Sequence, residues 1–153
     1  MHATYSPLNT LLDQIELGKD AKVGKVTLDT PMADSPEISR AAISAMRRSY
    51  GEAGITESSI NPDPIAQFSL WLKEAAANSM IIEVNAMVLS TLGQDGPSAR
   101  TVLLKDVDQR GFTFFTNYQS DKSRQIQINP NVSLLFPWYP MERQVIVIGS
   151  ATK

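Results

Sequence analysis

The stretch Met87-Val88-Leu89-Ser90-Thr91-Leu92, followed by Gly93-Gln94-Asp95-Gly96-Pro97, decides the fold. The first six residues are rich in apolar and β-branched side chains and the next five are turn formers, so together they predict a strand ending in a turn. The same pattern returns over residues 99–105 and 112–117, with a turn at 108–111, and again over 132–138 and 144–150. These strands, joined mostly by hairpin-length connections, indicate an antiparallel meander curled toward a barrel.

Helical signals flank these strands. Ser35-Pro36 is typical of an N-cap followed by proline, and it predicts a helix that ends near Gly51. Asp63-Pro64 repeats the signal for a helix that ends near Asn78. A third, short helix is predicted over residues 120–129, between the third and fourth strands. We therefore predict a mainly β fold with flanking helices.

The 153 residues suit one domain. We predict that residues 1–34 form an N-terminal tail and that residues 35–153 form the domain. The fifth strand lies directly before Lys153, which predicts an exposed strand edge covered by a second chain, or else a shortened polypeptide. Several strands are apolar on both faces, which indicates a core on one side and a partner on the other.

Composition excludes several classes of chemistry. The chain has no cysteine and one histidine, His2, which excludes disulfides and cysteine catalysis and argues against metal sites and Ser-His-Asp chemistry. It has no run of 18 apolar residues and no signal-peptide or transit-peptide pattern at its start. We therefore expect no metal, no membrane partner and a cytoplasmic location.

Charge is distributed unevenly along the chain. The formal net charge is −2, yet residues 97–153 carry seven basic and four acidic side chains. A basic final third on a chain with a pI near 5.4 indicates a local anion site and argues against a nucleic-acid partner.

Residues that suit such a site lie in this third. Free N–H groups at the start of the third helix favour an anion, and Lys122 in its first turn adds positive charge. Arg100 can offer two parallel hydrogen bonds to a phosphate, while Thr116 and Gln144 can hydrogen-bond a heteroatom-rich ring. The set suits a phosphorylated ring cofactor better than proton transfer.

Each of these residues also has an ordinary structural interpretation. Arg100 and Lys105 are five positions apart, so they lie on opposite strand faces, where single charges are usually solvated. Lys122 can be a solvated helix residue, Ser120 only a cap, and Gln144 an exposed residue at a strand start. Spacing alone leaves these alternatives open.

Several motifs, in order along the chain, carry a resemblance to a known family. They are Met46-Arg47-Arg48-Ser49-Tyr50, Asp63-Pro64 with Phe68 and Trp71, Asn85-Ala86-Met87, Pro97-Ser98-Ala99-Arg100-Thr101-Val102-Leu103-Leu104-Lys105, Phe114-Phe115-Thr116-Asn117-Tyr118, Ser120 with Lys122, Asn129-Pro130, Leu135-Phe136-Pro137-Trp138 and Glu142-Arg143-Gln144-Val145. Together they resemble the pyridoxamine 5′-phosphate oxidase family, flavin enzymes of vitamin B6 metabolism.

The resemblance implies an FMN-binding split β-barrel that works as a homodimer, with FMN at the subunit interface. It also implies oxidation of pyridoxamine or pyridoxine 5′-phosphate to pyridoxal 5′-phosphate, with oxygen as the electron acceptor and hydrogen peroxide as a product. The implied FMN contacts are Arg100, Thr101, Val102, Leu103, Leu104, Lys105, Phe115, Thr116, Lys122 and Gln144. The implied substrate contacts are Arg47, Arg48, Ser49, Tyr50 and Lys105.

The sequence departs from the family pattern at three places. Asp121 stands where the family usually has a basic residue, and Val84 stands where it commonly has proline. The family also continues past the position of Lys153 with a Trp-Gly-Gly segment and an Arg-x-His motif. Two other hypotheses therefore remain: a non-catalytic barrel that dimerises or holds FMN, and a barrel that binds another phosphorylated ligand.

Overall fold

A computed structural model of the chain describes residues 2–5, 39–46 and 54–153. Its elements are β1 (His2–Tyr5), α1 (Arg40–Ala45), α2 (Pro64–Ala77), β2 (Ala86–Gly93), β3 (Gly96–Asp108), β4 (Gly111–Phe114), α3 (Asp121–Ile128), β5 (Asn131–Trp138) and β6 (Arg143–Thr152). All strand pairings are antiparallel. The predicted mainly β fold with flanking helices is confirmed.

The strands form a closed barrel in the order β1-β4-β3-β2-β5-β6. β1 closes it by pairing with β6 along four residues and with β4 along two. The predicted exposed edge after the fifth strand is therefore wrong, because β1 covers it. This strand lies inside the segment 1–34, where no element was predicted, and the rest of that segment lies outside the described residues.

The hairpin between β2 and β3 is tighter than predicted. Gly93 pairs with Gly96, so the turn consists of Gln94-Asp95 alone. Gly96 has a φ of 111°, a conformation that glycine adopts without a Cβ penalty. The predicted turn over 93–97 was too long because the turn formers at its two ends continue the strand ladder.

One predicted helix is described in part, and one predicted strand boundary is wrong. α1 spans Arg40–Ala45, with the hydroxyl of Ser39 accepting the N–H of Ala42, and the predicted start at Ser35-Pro36 and end near Gly51 lie outside the described residues. β4 ends at Phe114, so residues 115–117 leave the strand that was predicted to include them. The predicted starts of α2 and α3 are confirmed, with Asp63 and Ser120 at the N-cap positions.

Aromatic side chains fill the centre of the barrel and fasten α2 to it. The ring of Phe68 on α2 lies 4.9 Å from the rings of both Phe112 and Phe136, with edge-to-face geometry. The indole Nε1 of Trp138 donates to the carbonyl of Val84, 3.1 Å away. α3 packs against β2, with Gln125 next to Gly93 at the hairpin end of the strand, and the candidate site lies there.

Candidate functional site

Arg100 lies on the inward face of β3, at the end of the barrel that α3 covers. Its guanidinium donates to four oxygens: Oγ1 of Thr91 at 2.5 Å, Oγ of Ser98 at 2.6 Å, Oε1 of Gln125 at 2.9 Å and the carbonyl of Leu89 at 3.3 Å. Arg100 is half-buried, and these four hydrogen bonds hold its guanidinium in one orientation.

The positive charge of Arg100 is not neutralised by a direct ion pair. All four acceptors are uncharged, and no carboxylate of residues 39–46 or 54–153 lies within ion-pair distance of it. Burial lowers the pKa of the guanidinium, while the negative charge of nearby Asp121 acts in the opposite direction. Because arginine stays protonated regardless, a half-buried cation of this kind favours an anionic ligand.

The start of α3 adjoins this cation and has no side-chain cap. Ser120 occupies the N-cap position, but its hydroxyl donates to the carbonyl of Asn117 at 2.6 Å and accepts no helix N–H. The hydroxyl of Ser123 donates to the same carbonyl at 2.8 Å, and Oγ1 of Thr116 lies 3.4 Å from Oγ of Ser120. The N–H groups of Asp121 and Lys122 therefore stay available to an anion, whereas the N–H of Ser123 donates to the carbonyl of Ser120 at 3.0 Å.

Two charged residues occupy the first turn of α3. Lys122 is half-buried, whereas Asp121 is exposed and forms an ion pair with Arg124. The ion pair directs the Asp121 carboxylate along the helix surface, but its negative charge still acts on Arg100. The site therefore combines two cations, Arg100 and Lys122, with one anion, Asp121, whose charge repels a phosphate.

Alternation along β3 divides the other predicted contacts between two faces. Val102 and Leu104 are buried in the core, so only their backbones are available to a ligand. Thr101 and Leu103 point outward, and Lys105 is exposed where a bulge shifts the register with β4. Phe115 and Thr116 follow β4, and Phe115 is 74% exposed.

Gln144 lies apart from this cluster. It is exposed at the start of β6, opposite Pro137 of β5. Two strands separate β6 from β3 in either direction around the closed barrel, so Gln144 is not a sheet neighbour of the β3 residues. A single chain therefore does not bring Gln144 next to Arg100 and Lys122.

The predicted substrate contacts are only partly described. Arg47, Arg48, Ser49 and Tyr50 lie outside the described residues, and Lys105 is the member of that set with a described position. Its exposed place on β3 leaves its amino group free to reach a ligand at the outer face.

Sequence reasoning missed the residues that hold Arg100. Thr91 and Gln125 come from β2 and α3, and Ser98 from the start of β3. Thr91 was detectable in principle: it follows Met87 and Leu89 at a spacing of two, so it is a polar residue in a buried series. Nothing in the sequence spacing joined it to Gln125, 34 positions away.

The sequence of this chain is similar to that of known proteins. A family model described as pyridoxamine 5′-phosphate oxidase matches residues 73–153. This chain belongs to the pyridoxamine 5′-phosphate oxidase family. Relatives named pyridoxine/pyridoxamine 5′-phosphate oxidase are 53% identical over 117 residues in Rubrobacter xylanophilus and 51% identical over 111 residues in Prochlorococcus marinus. These matches cover 76% and 72% of this chain and 54% and 50% of the relatives, so the chain spans about half the length of the curated relatives it matches.

Solved structures resemble the barrel. PhzG from Burkholderia lata 383, in complex with tetrahydrophenazine-1-carboxylic acid, has a TM-score of 0.59 and 27% identity, covering 66% of this chain and 50% of that one. A pyridoxamine 5′-phosphate oxidase-related, FMN binding protein from Nostoc punctiforme has a TM-score of 0.52 and 20% identity, covering 61% and 48%. The second likeness shows the fold alone. The split-barrel prediction is confirmed.

Two further properties concern the described part of the chain. Within it, no three histidine, aspartate or glutamate side chains are grouped to hold a metal ion. None of its helices has the length and apolar composition needed to cross a bilayer.

Proposed function

We propose that this chain binds FMN and oxidises pyridoxamine or pyridoxine 5′-phosphate to pyridoxal 5′-phosphate. For the alcohol, the C4′ CH₂OH group and O₂ give the aldehyde and H₂O₂. For the amine, CH₂NH₂, O₂ and H₂O give the aldehyde, NH₃ and H₂O₂. Bound FMN would supply the two-electron acceptor between substrate and oxygen. The family membership and the names of the relatives support this reaction.

One observation carries the cofactor assignment: the half-buried Arg100 cation has no paired carboxylate and lies beside the uncapped start of α3. Nη1 and Nη2 of Arg100 already donate to protein oxygens, so Arg100 offers a phosphate its charge and its Nε–H. The free N–H groups of Asp121 and Lys122 and the half-buried side chain of Lys122 add donors that suit a phosphate. The residues present therefore fit the phosphate of FMN, held by Arg100, Lys122 and the first turn of α3. Thr116 adds a hydroxyl at the same end.

The ring of FMN is assigned to the outer face of the sheet. Thr101 and Leu103 present side chains there, and the backbones of Val102 and Leu104 run between them. Exposed Phe115 lies beyond the end of β4 and is available to pack against a planar ring. We assign the substrate to the Lys105 end of this face.

A homodimer would complete the site. The outer face of β2, β3, β5 and β6 carries a band of apolar side chains, partly buried or exposed: Val88, Leu92, Leu103, Leu135, Ile146 and Ile148. Soluble proteins rarely leave such a band uncovered. A second copy packed on this face would cover it and would bring its own Gln144 toward the β3 residues, from which two intervening strands separate Gln144 within one chain.

A non-catalytic barrel that holds FMN is the second candidate. It is favoured because the described residues gather donors for a phosphate but no carboxylate pair for proton transfer, and His2 is the one histidine of the sequence. The third hypothesis, another phosphorylated ligand, differs from both in predicting no selectivity for a flavin. A cytoplasmic location and the domain boundary at residue 35 stay predictions.

An oxidase assay separates these candidates. The purified chain is mixed with FMN and then with pyridoxamine 5′-phosphate, and hydrogen peroxide and pyridoxal 5′-phosphate are measured together. Equal amounts of both products, lost when FMN is omitted, would support the oxidase. Bound FMN without either product would favour the non-catalytic barrel, and absence of FMN binding would contradict both.

A further inference from the structure

Gln125 holds the guanidinium that the proposed site directs at a phosphate. Its Oε1 accepts from Nη2 of Arg100 at 2.9 Å and from the hydroxyl of Thr91 at 2.6 Å. The Thr91 hydroxyl in turn accepts from Nη1 of Arg100 at 2.5 Å. Gln125 and Thr91 thus contact both terminal nitrogens of Arg100 and each other.

This arrangement constrains Arg100 from two different elements. Thr91 is 4% exposed and rigidly placed on β2, and Gln125 reaches it from α3. A β-branched side chain and a packed helix residue hold the arginine in one rotamer, so less side-chain entropy is lost when an anion binds.

The chemistry of the acceptor matters as much as its position. An amide oxygen orients the guanidinium without cancelling its charge, whereas a carboxylate at the same place would form an ion pair with it. No such carboxylate faces Arg100 from the described parts of β2, β3 or α3 other than Asp121, which is ion-paired with Arg124. The neutral amide therefore keeps the cation available.

We propose that Gln125 is a positioning residue that, with Thr91, orients Arg100 toward the phosphate of the cofactor while leaving its charge uncompensated. This inference rests on the proposed function, because it assigns the phosphate to Arg100. It further predicts that the contribution of Gln125 to affinity requires the phosphate and is absent for riboflavin, which lacks it.

Gln125→Glu tests this directly, because it keeps the size of the side chain and replaces the amide with a carboxylate. Gln127→Glu is the matched control: it makes the same charge change two residues further along α3, on an exposed side chain. FMN and riboflavin are each titrated into the wild type and both variants, and flavin fluorescence and thermal unfolding are recorded. Gln125→Met, which removes the acceptor without adding charge, provides a second variant if Gln125→Glu does not fold.

We expect the wild type to prefer FMN to riboflavin, Gln125→Glu to lose at least tenfold in FMN affinity with unchanged riboflavin affinity, and Gln127→Glu to change neither by more than about twofold. Gln125→Met should lose FMN affinity by a smaller factor. A wild-type preference for FMN that survives in Gln125→Glu and in Gln125→Met would overturn the role of Gln125 and leave the proposed function intact. A wild type without any preference for FMN would overturn both.

Discussion

Gly93 and Gln125 approach so closely that a Cβ at position 93 would lie 2.9 Å from Cγ of Gln125. Gly93 ends β2 at the tight hairpin, and α3 packs against this end of the strand. The absence of a side chain at one residue of the barrel thus allows the helix residue that contacts Arg100 to reach its place.

The first prediction concerns this contact. Gly93→Ala should push Gln125 away from Thr91 and Arg100, lowering the free energy of unfolding by about 1–3 kcal/mol, as overpacking does. FMN affinity should fall with it. Gly54→Ala is the control, because a Cβ there meets nothing within 4 Å. Urea unfolding and FMN titration measure both effects; equal stability of the two variants would contradict the packing argument.

The second prediction concerns the two cations. Arg100→Ala and Lys122→Ala should each weaken FMN binding about tenfold or more, since a charged hydrogen bond contributes about 1.5–3 kcal/mol. The loss should shrink as salt is added. Lys73→Ala, at an exposed position on α2, should leave the affinity unchanged. Unchanged affinity in both site variants would show that the phosphate lies elsewhere.

The third prediction concerns Asp121, which stands where the family usually has a basic residue. Asp121→Arg should tighten FMN binding roughly tenfold, because a charge that repels a phosphate becomes one that attracts it. The variant should also lose about 0.3–1 kcal/mol of stability, since an acidic residue is favourable at a helix start. Asp95→Arg is the control, because it makes the same charge change at an exposed residue of a turn. Weaker FMN binding by Asp121→Arg alone would contradict the assignment.

The fourth prediction contrasts two phenylalanines. Phe68 is 2% exposed and contacts the aromatic core from α2, so Phe68→Ala should cost about 3–5 kcal/mol of stability. Phe115 is exposed, so Phe115→Ala should change stability by less than about 0.5 kcal/mol while weakening FMN binding. Denaturant unfolding in the absence of FMN measures the contrast, and similar losses in the two variants would refute it.

The fifth prediction tests the dimer. Ile148→Asp places a charge in the apolar band on the outer face and should shift the chain from dimer to monomer in sedimentation experiments. Ile43→Asp on α1 is the control, because the two isoleucines are 57% and 58% exposed. A wild-type chain that sediments as a monomer, or a dimer that survives Ile148→Asp, would contradict the proposed interface.

The strands from β2 to β6 and the start of α2 were predictable because period-two alternation, turn formers and the Asp63-Pro64 signal are local properties. β1 was not predictable, because a four-residue strand has too few alternations to stand out and its pairing with β4 and β6 is long-range.

The candidate site divides in the same way. Arg100 and Lys122 could be selected by residue type and position, and their faces follow from strand and helix periods. The environment of Arg100 could not be predicted, because Thr91 and Gln125 come from separate elements and sequence spacing does not show that they pack together. The absence of a side-chain cap at Ser120 was also hidden, because its hydroxyl donates instead to Asn117, which the cap pattern does not predict.

The most direct test of the central claim is a fluorescence titration of FMN with the purified 153-residue chain. We expect saturable quenching of the flavin fluorescence at stoichiometric ratios. A competing phosphate ligand should reverse this quenching only when it is present in large excess. A folded chain that leaves FMN fluorescence unchanged would contradict the claim that Arg100 and the start of α3 bind the cofactor.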